Sequence, residues 1–103
     1  MSRKSKLTYI GGSLPLTIIR EDDQFIAYTP ALDISTCGST FDQAKERFGE
    51  LIEIFFEELC SMGTLEDVLE ECGWKKINKP EQRWIPPAVI SQTTEEIRIP
   101  CHG

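Results

Sequence analysis

The chain has one histidine in 103 residues, and it is the penultimate one, His102. A general base needs a rigid seat and an orienting partner, and a chain terminus supplies neither. The serines are therefore left without an imidazole to activate them. Cys101-His102 would hold a metal only if other chains added ligands. A glycine-rich phosphate loop is also missing, because Gly11-Gly12 precedes the first strand-like segment and no lysine-serine pair follows it. None of the four cysteines stands at the two-residue spacing of a zinc knuckle or a redox motif. Cys60 and Cys72 fall within helical patterns where a small apolar residue fits, so reduced, structural thiols are expected. No stretch approaches the roughly 18 consecutive apolar residues of a membrane span. The basic start, Met1-Ser-Arg-Lys-Ser-Lys6, lacks the apolar run of a secretory signal. The expected protein is cytoplasmic, not an enzyme, and without metal or other cofactor.

Positive charge is scarce where negative charge is dense. The net charge is −6. Residues 1–6 carry +3, and residues 75–83 carry +3 from Lys75, Lys76, Lys79 and Arg83 against Glu81. Between Asp42 and Cys72, ten acids face only Lys45 and Arg47, a balance of −8. Such a block repels phosphate backbones and attracts a basic partner. The same glutamates would equally serve as a solvated face that keeps the chain soluble. Direct DNA binding is not expected, since the sequence pI is about 4.7 and no helix-turn-helix or ribbon-helix-helix pattern is present. Tyr28 and Trp84 are the available base-stacking residues, although a tryptophan in such a context more often plugs a core.

The length gives room for a single hydrophobic core. Leu14–Arg20 reads as a strand, with Leu14, Leu16 and Ile18 on one face. Glu21-Asp-Asp23 makes a tight connection, and Gln24–Thr29 returns as the second strand of a hairpin. Pro30 ends it. A short third strand is expected at Asp33–Thr36, closed by a turn at Cys37-Gly38. Thr40-Phe-Asp-Gln43 matches a capping box. Behind it Phe41, Ala44, Phe48, Leu51, Ile52, Phe55, Leu59 and Met62 recur at spacings of three and four, which predicts a long amphipathic helix ending near Gly63. Glu46, Glu50, Glu53 and Glu57 run along its opposite side, with Ile54 apolar among them. A second helix is expected from a Thr64 cap, with Leu65, Val68, Leu69 and Cys72 inward, Gly73 in the left-handed stop and Trp74 folding back.

From Lys75 the prolines Pro80, Pro86 and Pro87 exclude regular helix. This part is expected to be an irregular segment docked by Trp84, with a short extended piece at Ala88–Ile90 and a last strand at Glu95–Ile99. The expected organisation is a flexible basic arm over 1–13, a domain over 14–74 and a proline- and tryptophan-containing extension over 75–103.

The stretch Phe25-Ile-Ala-Tyr28 through Pro30-Ala-Leu32, then Gly38-Ser-Thr40 and Ala44, resembles the pattern of the HicB antitoxin family. Gly63-Thr-Leu-Glu-Asp-Val-Leu-Glu-Glu-Cys-Gly-Trp74 is similar to a segment of its shorter members. The resemblance covers roughly 14–74. It implies an α+β fold of partial ribonuclease-H-like type, a three-stranded antiparallel sheet with the long helix on one face, to which the patterns above add a short second helix and a C-terminal strand. It also implies homo-oligomers and binding to HicA, a small basic toxin that cleaves messenger RNA and is silenced by occlusion. Two departures stand out. Asp33-Ile-Ser-Thr36 replaces the family's proline-glycine-cysteine type of turn, and 75–103 holds no recognisable DNA-binding domain, so operator binding is not carried over.

Two binding readings follow. In the first, Glu46, Glu50, Glu53, Ile54 and Glu57 form the interface for a basic toxin. In the second, the domain is an orphan that self-associates through Trp84, Ile97 and Ile99, with the final strand adding to another copy's sheet edge. A metal-dependent nuclease is the weakest alternative, because its acids would have to converge on a shared ion, and here they form a ridge along one helix.

Overall fold

The computed structural model describes residues 10–102. The basic arm's Arg3, Lys4 and Lys6 lie outside the described residues. In chain order the elements are β1 (Gly11–Gly12), β2 (Thr17–Glu21), β3 (Gln24–Thr29), β4 (Ile34–Gly38), α1 (Phe41–Met62), α2 (Leu65–Glu71), β5 (Lys75–Ile77) and β6 (Arg83–Ile85). The fold is α+β. Strands β2, β3 and β4 form an antiparallel sheet in that order, and α1 packs on one face of it.

The hairpin follows from its two-residue turn. Glu21 pairs with Gln24, and Asp22 takes a left-handed φ of 53°, a conformation that aspartate tolerates better than most residues. The register then puts Ile18 opposite Ala27 and Ala27 opposite Thr36. Since side chains alternate along a strand, Ile18, Phe25 and Ala27 share the face that meets Ala44, Phe48 and Ile52 of α1. β2 begins at Thr17, so the expected strand start at Leu14 is three residues early. Leu14 and Leu16 still pack into the core from the preceding segment.

α1 approaches the sheet closely at one point. Ala27 and Ala44 are fully buried, and a methyl group placed on Gly38 would come within 2.6 Å of the Ala44 backbone nitrogen. β4 can therefore pass under the first turn of α1 only because residue 38 has no side chain. That turn is capped by Thr40, whose hydroxyl accepts from the Gln43 N–H at 3.0 Å. The Gln43 side chain reaches back one residue further than the expected box, accepting from the Ser39 N–H at 2.7 Å.

Both helices stop in the same way. At Gly63 (φ 71°) the Gly63 N–H donates to the Cys60 carbonyl and the Thr64 N–H to that of Leu59. At Gly73 (φ 89°) the Gly73 N–H donates to the Glu70 carbonyl and the Trp74 N–H to that of Leu69. These paired bonds satisfy carbonyls that would otherwise be orphaned. The second stop delivers Trp74 into a cluster with Ala31, Leu69 and Trp84, where its indole N–H donates to the Ala31 carbonyl at 3.0 Å.

The chain beyond Trp74 departs from expectation. Lys75–Ile77 and Arg83–Ile85 form an antiparallel pair, with the cis Lys79–Pro80 bond in the connection, and Gly11–Gly12 joins β6 in parallel. Trp84 docks this ribbon as anticipated and is buried. Neither Ala88–Ile90 nor Glu95–Ile99 is a strand. Pro87 lies against Gly73 and the following residues are exposed, so among the described residues the tail meets no sheet edge with which its alternating pattern could pair.

Smaller differences from expectation fall at the helix ends and at the start of β4. Phe41 and Met62, the ends of the α1 stripe, are 50% and 69% exposed. Cys60 and Cys72 are exposed, and α2 ends at Glu71, before Cys72. Thr64 precedes α2 but makes no capping bond, and its hydroxyl is buried without a partner. Asp33 precedes β4 with φ 57°.

The two threonines should respond oppositely. Thr40→Ala should lower stability by about 1 kcal/mol in urea denaturation, whereas Thr64→Val should be neutral or stabilising, because it removes an unsatisfied buried hydroxyl. Gly38→Ala should cost about 1–3 kcal/mol, since backbone on both sides must move.

Candidate interaction surfaces

Burial of the α1 stripe determines what the opposite side offers. Glu46, Glu50, Glu53 and Glu57 succeed one another at spacings of four, three and four, so at 3.6 residues per turn they share one narrow sector. All four are exposed, and Ile54 beside them is 54% exposed. The sequence-predicted ridge is thus brought together on one face of one helix.

No cation among the described residues pairs with it. Among the described residues the ion pair that forms joins Lys76 to Glu66 at 2.8 Å, away from the ridge. Arg47 donates instead to the Cys37 carbonyl at 3.1 Å. Like charges at these spacings destabilise a helix by about 0.2–0.5 kcal/mol per pair, so the ridge costs the free protein stability.

The second predicted set is not brought together. Trp84 is 5% exposed and packs in this chain's own core with Ala31, Leu69 and Trp74. Ile97 and Ile99 are 74% and 76% exposed on the tail. Tyr28 and Trp84 do not form a stacking platform. The Tyr28 hydroxyl donates to Asp33 Oδ1 at 3.1 Å, and that bond to a carboxylate raises its pKa above the ordinary phenol value. Among the described residues no three histidine, cysteine, aspartate or glutamate side chains gather into a metal-holding group, and no helix is long and apolar enough to cross a membrane.

A further surface emerges that the sequence reading missed. An apolar cleft of about 770 Å³ opens between α1, α2 and the β1 segment, with Ile52, Phe56, Leu65 and Trp74 among the residues lining it. Glu53 and Glu57 also line it, which makes the ridge and the cleft neighbours. Phe56 was absent from the expected stripe because it lies on the flank of α1 and meets Trp74 edge-on, with ring centroids 6.4 Å apart. The usable signal was the four-residue spacing of Ile52, Phe56 and Cys60, a second apolar row toward α2.

No family model, curated protein or solved structure matches this chain.

The cost of the ridge is measurable. Glu50→Gln with Glu53→Gln should raise stability by about 0.5 kcal/mol or more at low salt, and the gain should shrink toward zero near 1 M salt, where screening acts over about 3 Å. Thermal denaturation at both salt concentrations reads this directly.

Proposed function

We propose that this protein is a non-catalytic binding module that engages a basic protein through the outward face of α1. The observation that carries the reading is the bare acidic ridge, with Glu46, Glu50, Glu53 and Glu57 exposed beside a half-exposed Ile54. Complementary charge steers encounter, and an apolar residue among the charges adds contact area that charge alone does not provide. The internal repulsion of the ridge is relieved when a cationic surface covers it, so binding and stabilisation are coupled.

The partner's class comes from the resemblance to HicB antitoxins. The stretch from Phe25 to Ala44 carries that pattern, and the sheet-and-helix architecture is compatible with the fold it implies. On this reading the partner is a small basic RNA-cleaving toxin of HicA type, silenced by occlusion in the cytoplasm. The alternative is an orphan domain that self-associates through its tail, a reading supported by the exposure of Ile97 and Ile99.

Co-purification with the product of the adjacent gene, followed by an RNA-cleavage assay, tests the first reading. The expected result is a stable complex in which cleavage is suppressed. Glu50→Lys with Glu53→Lys should weaken that complex about tenfold or more, with the larger loss at low salt. A complex whose affinity ignores both the reversal and the salt would place the interface elsewhere on the molecule.

A further inference from the structure

The cleft and the tail are complementary in pattern and in charge. The cleft floor is apolar, formed by Ile52, Phe56, Leu65 and Trp74, and its α1 side carries the acids Glu53 and Glu57. The tail presents Ile97-Arg98-Ile99, two exposed isoleucines flanking a cation. In an extended segment residues two apart point to the same side. Ile97 and Ile99 can therefore enter the floor together while Arg98 faces the other way, toward the acidic mouth. The cleft wall opposite α1 includes Gly11 and Gly12. Gly11 has open space where a side chain would stand, and among the described residues β1 is the outer strand of its ribbon, in the order β1-β6-β5. An extended segment can approach that edge closely enough to hydrogen-bond with its backbone.

We infer that the cleft is the docking site for the Ile97–Ile99 segment of a second copy of this chain. The chain's own tail is led away at its root, where Pro86 and Pro87 follow β6 with fixed φ angles and Pro87 rests against Gly73. The twelve steps along the chain from Ile85 to Ile97 span at most about 43 Å when extended, which reaches a neighbouring molecule. Reciprocal exchange of the two tails closes a two-fold dimer with no unpaired tail or cleft left over. This inference does not rest on a basic partner for the ridge. It does assign Glu53 and Glu57 a second role, so tail exchange covers one end of the ridge.

Sedimentation of the full chain over a concentration series, with intrinsic tryptophan emission recorded in parallel, tests it. Trp74 and Trp84 are the chain's two tryptophans and both line the cleft, so emission reports on that site. The expected result is concentration-dependent dimerisation accompanied by a change in emission intensity. Ile97→Asp with Ile99→Asp should remain monomeric, with an unchanged circular dichroism spectrum because both positions are exposed. Arg98→Glu should weaken the dimer about tenfold or more, as should Glu53→Arg with Glu57→Arg, and combining the two changes should restore it. A chain that is monomeric throughout, or a dimer indifferent to the tail substitutions, overturns the inference. So does an emission change that depends on Ile97 and Ile99 but not on concentration, which assigns the cleft to the chain's own tail. An emission change on deleting residues 1–9, with none from the tail substitutions, assigns it to the N-terminal arm.

Discussion

The structure depends on the close approach of α1 to its sheet. Gly38, Ala27 and Ala44 bring two backbones together with almost nothing between them, and the larger groups, Ile18, Phe25, Phe48 and Ile52, fill the space around that contact. Short-range dispersion between well-packed atoms is individually small and collectively large. A contact with so little slack also fixes the helix rotation, which decides the side of α1 that remains outside. The exposed glutamates are thus a consequence of where two alanines and a glycine sit.

The second half of α1 serves a different neighbour. Past Phe48 the helix is flanked by the Trp74–Trp84 cluster, which Phe56 meets from the helix side. The two clusters share Leu14, so one residue of the segment before β2 touches both. Between them the packing is incomplete, and the cleft is the space left over. Its position explains why charge and apolar surface adjoin on this molecule, since the acidic sector of α1 borders the sector that faces α2.

Features encoded over a few residues were legible in the sequence. The Asp22-Asp23 turn, the Thr40 cap, the α1 stripe, and the stop at Gly73 with the return of Trp74 each depend on neighbours within about one helical turn. The β5–β6 ribbon was not legible, because three-residue strands built on Lys75-Lys-Ile77 and Arg83-Trp-Ile85 carry too little alternation to register. Glu95–Ile99 shows the opposite failure. Its alternation is strong, but alternation describes a strand only when a partner edge is available, and among the described residues none meets it. Thr64 has the composition of a cap without the geometry. Of the candidate surface, the ridge was legible as helical spacing, while the cleft was not, since it is assembled from residues more than seventy positions apart.

The central claim is that the outward face of α1, left bare by the packing of its inner face, is where a basic protein binds. Titrating the isotope-labelled chain with a purified basic toxin of HicA type, and following backbone amide chemical shifts, tests this most directly. The account predicts that the largest changes fall between Glu46 and Glu57, on the exposed positions, and that they weaken as salt is added. Changes concentrated on the exposed edge of β2 or β4 and insensitive to salt would contradict it.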